Sequence, residues 1–158
     1  MATETPAEIG HTAPAFSLPR DGGDVVSLQD FAGSPLVVFF YPKDDTSGCT
    51  KEAVAFTTLL DDFAALGAKV IGVSKDSVKK HEKFVAKHGL GMPLLSDEDG
   101  DMCERYGVWK EKSMYGKTYM GIERSTFLIG GDGQIAAAWR KVKVPGHAEA
   151  VLDAVKAL

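Results

Sequence analysis

The most informative segment of the chain covers residues 36–53, Leu36-Val-Val-Phe-Phe-Tyr41-Pro-Lys-Asp-Asp-Thr-Ser-Gly-Cys49-Thr-Lys-Glu-Ala53. Its first six residues are all apolar or aromatic, which is typical of a central strand that is buried on both faces. Pro42 ends this strand because proline has no N–H to give to the ladder. A polar loop and a helical pattern of apolar residues follow. The segment therefore predicts that Cys49 lies at the carboxyl edge of a sheet, where a helix begins.

Cys49 is a candidate nucleophile because of this position. The first turn of a helix has unpaired N–H groups and the positive end of the helix dipole, and both favour a thiolate. A free cysteine has a pKa of about 8.5, and a decrease of two units requires about 2.7 kcal/mol. One exposed helix end supplies up to about 1 kcal/mol, so a second positive group is needed. The alternative, a small buried residue, is disfavoured by the polar, turn-prone residues 46–48.

Outward from this segment, strands and helices alternate along the chain. We predict strands at 25–28, 36–41, 68–74, 125–129 and 135–139, and helices at 50–66, 77–89, 99–106 and from Pro145-Gly-His147 to the end. Gly130-Gly-Asp-Gly133 predicts a hairpin between the last two strands, whereas Leu94-Leu95 is too short to assign. This order indicates a mixed-sheet α/β domain. A thioredoxin-like fold is compatible with it, and other α/β folds remain open.

Composition limits the classes of function. A length of 158 residues, with 44% apolar and 25% charged residues, is typical of one globular domain, here residues 1–158. A net charge of −4 without a dense Lys/Arg tract disfavours nucleic acid, and no apolar run is long enough to cross a membrane. Residues 1–8 do not resemble a secretory signal, and the two cysteines lack close spacing. We therefore expect a soluble cytoplasmic protein.

The spacing Pro42-x-x-x-Thr46-x-x-Cys49 resembles the active-site motif of the peroxiredoxins. The wider segment around it resembles the subfamily named after bacterioferritin comigratory protein, also called peroxiredoxin Q. Further similar segments occur in the same order, at residues 10–19, 94–100, 106–109, 120–129 and 132–133. The resemblance covers nearly the whole chain. It implies a thioredoxin-like fold, with a mixed central sheet flanked by helices.

The resemblance also implies an activity and its residues. The chain is expected to be a thiol-dependent peroxidase that reduces hydrogen peroxide and organic hydroperoxides through a Cys49 sulfenic acid. Without the resemblance, Arg124 would be interpreted as a surface arginine at a strand edge. The resemblance instead places it beside the Cys49 thiolate, as the second positive group. Thr46 offers a hydroxyl that accepts and donates, and Pro42 shields the sulfur from water. Fixed donors directed at the leaving oxygen supply the acceleration, and no metal or redox cofactor is expected to be needed to break so weak an O–O bond.

The second thiol, Cys103, has two interpretations. It is either a resolving cysteine that attacks the sulfenic acid, or a buried residue on an apolar helix face, which we favour. Many members of the subfamily have a resolving cysteine five residues after the reactive one, where this chain has Val54. This departure favours a one-cysteine enzyme that is recycled by thioredoxin or another thiol. The expected oligomeric state is a monomer or weak homodimer.

Two other functions remain open. A thioredoxin-like disulfide oxidoreductase is one, although Cys49-Thr-Lys-Glu52 lacks the second thiol of a Cys-x-x-Cys pair. A redox sensor that uses the same cysteine stoichiometrically is the other. The four histidines show no metal-ligand spacing. The charged loop residues 43–45 are expected to be solvated. Trp109 and Tyr115 either line a substrate entrance or cover the core.

Overall fold

The computed structural model describes residues 8–158. Residues 1–7, which belong to the segment inspected for a secretory signal, lie outside that range. A five-stranded sheet with the order β5-β4-β3-β8-β9 forms the centre of the protein. The strands in chain order are β1 (Ser17–Pro19), β2 (Val25–Ser27), β3 (Leu36–Phe40), β4 (Lys69–Ser74), β5 (Leu94–Ser96), β6 (Trp109–Met114), β7 (Lys117–Ile122), β8 (Ser125–Ile129) and β9 (Ile135–Trp139). β3, β4 and β5 are parallel, whereas β8 is antiparallel to both β3 and β9. The predicted mixed sheet is thus confirmed.

Side chains alternate across β3 and divide the core into two apolar clusters. Leu36, Val38 and Phe40 belong to one cluster, which also contains Cys103. Val37 and Phe39 belong to the other, which contains Cys49. Because successive side chains of a strand point to opposite faces, the sheet lies between these clusters. All five residues of β3 are buried, as expected for a central strand.

Helices cover both faces of the sheet unequally. They are α1 (Ser47–Thr58), α2 (Leu60–Ala65), α3 (Val78–His88), α4 (Met102–Arg105) and α5 (His147–Lys156). Four of them, α1, α2, α3 and α5, contribute to the cluster that contains Cys49, and α4 contributes to the other. Phe56 of α1 stacks on Phe39 with ring centroids 4.7 Å apart. Gly72 of β4 leaves room for the Phe39 ring, since a Cβ at this position would lie 2.8 Å from Phe39 Cζ.

The helix predicted at 50–66 is two helices, so that prediction is wrong in its continuity and its start. α1 begins at Ser47, and the chain leaves helical geometry at Leu59 before α2 begins. Thr57 and Thr58 donate their hydroxyls to the carbonyl oxygens of Ala53 and Val54, at 2.9 and 3.0 Å. A hydrogen bond from a threonine hydroxyl to the carbonyl four residues earlier weakens and bends a helix. These two bonds lie at the end of α1, where the helix breaks.

Besides β5, which the sequence leaves unassigned, three strands were not predicted from it. β6 and β7 form a hairpin whose two-residue turn holds Tyr115 and Gly116 at φ of 53° and 76°. A turn with two positive φ angles is usually signalled by Asn-Gly or Asp-Gly, and tyrosine gives no such signal. Most residues of the hairpin are exposed, so the strands also lack apolar alternation. The third strand, β1, is only three residues long and pairs with β2.

Most other boundaries agree closely with the sequence, although α4 is shorter than the helix predicted at 99–106. Ser77 caps α3, since its Oγ accepts the Lys80 N–H at 3.2 Å, and Gly89 ends it in the left-handed region. Leu94-Leu95, unassigned from the sequence, lies in β5 beside β4. Within residues 8–158, no helix is both long enough and apolar enough to cross a bilayer.

Candidate active site

Cys49 lies in the first turn of α1, as the sequence predicts. The first intrahelical bond runs from the Thr50 N–H to the Thr46 carbonyl at 2.8 Å, so the N–H groups of residues 47–49 precede the ladder. The side chain packs into the apolar cluster between the sheet and α1, and only 1% of Cys49 is exposed. The polar residues 46–48 predicted a cysteine that is not buried, and that prediction is wrong because the side chain packs against the core and not against the loop. A small oxidant is the kind of substrate that such a site admits.

Arg124 is the positive group that the structure brings to this sulfur. It directly precedes β8, whose first residue, Ser125, is paired with Phe40 at the end of β3. The antiparallel register therefore returns Arg124 to the edge of the sheet from which the Cys49 loop departs. Its Nη2 donates to Cys49 Sγ at 3.4 Å. Gly48 permits this approach, because a Cβ there would lie 3.2 Å from the same Nη2.

Glu52 is a site residue that the sequence analysis missed. It lies one helical turn after Cys49, on the same side of α1, and Arg124 Nη1 donates to its Oε1 at 2.7 Å. Glu52 is 1% exposed, and its second oxygen has no hydrogen-bond partner among the described residues. Burial raises the pKa of Glu52 to about 7, although the Arg124 guanidinium opposes that change. The i, i+3 spacing from Cys49 was the only available signal in the sequence.

His147 is a second missed neighbour of the arginine. It begins α5, and its Nε2 lies 2.8 Å from Thr126 Oγ1. Burial, with a further contribution from Arg124, lowers the pKa of His147 to about 4. His147 is therefore uncharged near neutral pH. Arg124, and not His147, thus supplies the positive charge beside Cys49.

Thr46 and Pro42 lie in the loop between β3 and α1. Thr46 is exposed and immediately precedes α1, but its hydroxyl donates to the Lys43 carbonyl at 2.9 Å and does not cap the helix. The lone pairs of this oxygen remain available to accept a further hydrogen bond. Pro42 is half-buried directly after Tyr41. The expectation that residues 43–45 are solvated is wrong for Asp44, whose side chain is only 5% exposed.

Cys103 lies away from this site. It belongs to the cluster on the opposite face of the sheet from Cys49, and it is fully buried. Its N–H donates to Asp97 Oδ2 at 2.8 Å, and burial together with the Asp97 charge raises the pKa of its thiol well above the usual range. Both cysteines are free thiols. The surroundings of Cys103 therefore oppose thiolate formation.

The sequence matches a known family. Residues 9–138 match the model of the AhpC/TSA family. The chain belongs to this family. A peroxiredoxin Bcp of Xanthomonas campestris is 53% identical over 155 residues, with 97% of each chain covered. The peroxiredoxin Bcp of Bacillus subtilis is 49% identical, with 94% of this chain and 95% of the relative covered.

Solved structures give the same result. The bacterioferritin comigratory protein of X. campestris, in structures described as trapped intermediate and ligand complexes of alkyl peroxide reduction, has 54% identity and a TM-score of 0.86, with 90% of each chain covered. A cysteine-to-serine mutant of Xylella fastidiosa PrxQ has 45% identity and a TM-score of 0.89, over 99% of this chain and 98% of that one. The resemblance to peroxiredoxins, the thioredoxin-like fold and the thiol-dependent peroxidase activity are thereby confirmed.

Glu52 gives the first prediction, which concerns stability and pH. The pKa of Glu52 is about 7 in the folded protein against 4.5 as its ordinary value. Between these values the folded state binds more protons than the unfolded state, so the free energy of unfolding falls as pH rises from about 4.5 to 7. The loss approaches about 3 kcal/mol, at 1.36 kcal/mol for each pKa unit. Glu52→Gln cannot ionise and should lose this component of the pH dependence.

Urea unfolding at several pH values between 4.5 and 8 measures the effect. Glu111→Gln is the matched control, because Glu111 is an exposed glutamate of β6 and should keep the wild-type pH dependence. If the free energy of unfolding has the same slope against pH in the wild type and in Glu52→Gln, the Glu52 carboxyl does not resist ionisation and the prediction is wrong.

Proposed function

We propose that Cys49 is the thiol that attacks the peroxide. Its thiolate attacks one oxygen of the O–O bond, a sulfur–oxygen bond forms, and the other oxygen departs as hydroxide or alkoxide and takes up a proton. Cys49 becomes a sulfenic acid, so sulfur is oxidised and the peroxide is reduced. The observation that carries this proposal is the 3.4 Å hydrogen bond from Arg124 Nη2 to Cys49 Sγ at the start of α1.

Arg124, Thr46 and Pro42 have separate roles in this proposal. The guanidinium stays charged at any relevant pH, and it stabilises first the thiolate and then the negative charge that develops on the peroxide oxygens. Glu52 holds the guanidinium in place by accepting from Nη1. Thr46 accepts a hydrogen bond from the peroxide, since its own hydroxyl hydrogen is donated to the Lys43 carbonyl, and Pro42 limits the access of water to the sulfur.

We propose hydrogen peroxide and organic hydroperoxides as the substrates. The X. campestris relative is described in terms of alkyl peroxide reduction. In this chain, the apolar side chains around the buried Cys49 sulfur suit an alkyl group better than a charged one.

An external thiol, thioredoxin or another, is proposed to recycle the enzyme. The sulfenic acid forms a mixed disulfide with the first thiol and releases water, and a second thiol then releases Cys49. Cys103 is disfavoured as the resolving residue, because the central sheet lies between the two cysteine clusters. A direct bridge requires Cα atoms within about 7 Å, which this arrangement opposes.

The decisive experiment measures turnover. Purified protein is mixed with a large excess of peroxide and of dithiothreitol, and peroxide consumption is followed. Many peroxides consumed per chain support the peroxidase. One peroxide per chain would favour the stoichiometric sensor. Reduction of a protein disulfide in the absence of peroxide would favour the disulfide oxidoreductase.

The resolution step gives the second prediction. Cys103→Ser should keep most of the peroxidase activity with dithiothreitol, since Cys103 does not take part in the cycle. One equivalent of peroxide should leave a Cys49 sulfenic acid that a dimedone reagent traps, as measured by mass spectrometry. Thermal unfolding of the variant separates a loss of fold from a loss of chemistry. A quantitative Cys49–Cys103 disulfide in non-reducing peptide maps, with Cys103→Ser inactive with thioredoxin, would identify a two-cysteine enzyme.

The setting of the enzyme is also part of the proposal. Two free thiols favour a reducing cytoplasm. We propose that residues 1–158 act as one thioredoxin-like domain, as a monomer or weak homodimer, with no nucleic-acid or membrane partner. Sedimentation of the reduced and the oxidised protein tests the oligomeric state.

A further inference from the structure

Asp44 and His81 form a buried polar pair beside the Cys49 loop. Asp44 lies between β3 and α1, and His81 lies on α3. The two side chains are 5% and 0% exposed, and Asp44 Oδ2 lies 2.6 Å from His81 Nδ1. The other carboxylate oxygen, Oδ1, accepts the Tyr41 hydroxyl at 2.5 Å. Neither residue has a part in the proposed chemistry, so this pair needs its own explanation.

The hydrogen bonds fix which atoms carry protons. His81 Nε2 lies 2.9 Å from the Leu95 carbonyl oxygen, which only accepts, so Nε2 carries a hydrogen. Nδ1 faces the Asp44 carboxylate at a distance that requires one proton between the two atoms. Both ring nitrogens are therefore committed. His81 joins the Cys49 loop, through Asp44, to β5, through Leu95.

The backbone of the loop is held from the same side. The Asp44 N–H donates to Asp76 Oδ2 at 2.8 Å, and the Ser74 hydroxyl donates to the same oxygen at 2.7 Å. Asp44 thus contacts α3 through His81, the segment between β4 and α3 through Asp76, and the Tyr41 hydroxyl at the start of its own loop. Its neighbour Asp45 differs, because it is exposed and its carboxylate pairs with Lys87 and His88 at the end of α3.

The Asp44–His81 pair lies next to the loop that contains Thr46 and leads to Cys49. Asp44 precedes Thr46 by two residues, and the Thr46 hydroxyl donates to Lys43, the residue on the other side of Asp44. The position of Asp44 therefore sets where Thr46 and the first turn of α1 lie relative to Arg124. We propose that His81 is a positioning residue for the peroxide step, acting through Asp44 to hold residues 42–46 against α3. The proposal rests on Cys49 as the reacting thiol.

Two substitutions of His81 separate this role from a structural one. In His81→Asn the amide nitrogen replaces Nδ1 and keeps the donor to Asp44. In His81→Gln it replaces Nε2 and keeps the donor to Leu95, but the donor to Asp44 is lost. We expect His81→Asn to stay within about threefold of the wild-type rate and His81→Gln to fall by about tenfold to a hundredfold, the scale of a displacement of about 1 Å in an active site.

The readout is the rate constant for peroxide with the reduced enzyme, measured in single-turnover experiments. The rate of sulfenic acid reduction by dithiothreitol is recorded separately and should not fall in His81→Gln. Lys87→Ala is the control, because it removes an exposed contact between α3 and the same loop and should change the peroxide rate by less than about twofold. Equal losses in His81→Asn and His81→Gln, or none in His81→Gln, would overturn the proposal.

A double-mutant cycle tests the route through Asp44. Asp44→Ala alters a loop residue outside both apolar clusters, so it also serves if His81→Gln does not fold. We expect Asp44→Ala to slow the peroxide step about as much as His81→Gln, and the double variant to be no slower than Asp44→Ala alone. Additive losses, or an unchanged rate in Asp44→Ala, would overturn the proposal. Residual peroxide reduction in a Cys49→Ser background would instead fault the identity of the reacting thiol.

Discussion

Cys49→Ser is expected to abolish peroxide consumption while the fold remains intact. A serine hydroxyl is nearly the size of the thiol, so the apolar cluster around this 1%-exposed position stays filled. However, an alcohol is not ionised near neutral pH and cannot replace a thiolate as the nucleophile. The rate should fall to that of peroxide with dithiothreitol alone. Peroxide consumption with excess dithiothreitol measures the loss, and circular dichroism with thermal unfolding checks the fold.

The matched control for this experiment is Cys103→Ser. It makes the same chemical change at the other buried cysteine, on the opposite face of the sheet. A general effect of losing a buried thiol would therefore appear in both variants, whereas loss of the nucleophile affects Cys49→Ser only. Wild-type turnover in Cys49→Ser would refute the proposed mechanism.

Arg124→Met should slow the peroxide step about a hundredfold, because loss of one fixed donor to a developing oxyanion costs about 3 kcal/mol. It should also decrease the thiolate fraction, so that the curve of Cys49 alkylation rate against pH moves to higher pH. Methionine has a similar length but no charge. Arg124→Lys should recover only part of the rate, since one ammonium group does not reproduce the planar pair of donors to Cys49 and Glu52.

The measurements are stopped-flow peroxide reduction and iodoacetamide alkylation across a pH series. Arg140→Met is the control, because Arg140 lies over Phe127, whose ring belongs to the cluster on the other face of the sheet. It should leave both curves unchanged. If Arg124→Met also leaves them unchanged, then the interpretation of Arg124 as a surface arginine is correct and the proposed site is wrong.

The sequence predicts those parts of this protein that depend on local pattern. The apolar run of β3, the proline after it and the helical spacing from residue 50 place Cys49 at a helix start without any tertiary information. The position of Arg124 beside Cys49 is different. Its approach to Cys49 depends on the antiparallel pairing of β3 with β8, which local pattern does not define. The family resemblance supplied that information.

The residues that the sequence analysis missed depend on contacts between distant segments. Glu52 is a charged residue on a helix, and such residues are usually solvated. Only the position of Arg124 makes its burial tolerable. Similarly, the sequence gives no signal that Asp44, in a polar loop, contacts His81, on an amphipathic helix. That contact depends on the packing of α3 beside the loop. The β6–β7 hairpin was missed for another reason, since exposed strands do not produce apolar alternation.

In the proposed mechanism, the burial of Cys49 places opposite demands on the oxidation of its sulfur and on the reduction that follows. A peroxide of a few atoms reaches a sulfur that is 1% exposed, but the sulfur of another protein does not. If the thiol of another protein recycles the enzyme, as proposed, the sulfenic acid must first become exposed. The first turn of α1, the hydrogen bonds of Arg124 and the contacts of the preceding loop must then open. The same bonds that speed oxidation thus delay reduction. The stability of the first turn of α1 would then set how long the oxidised sulfur stays buried before a reductant reaches it. During that time a second peroxide can still attack the sulfur.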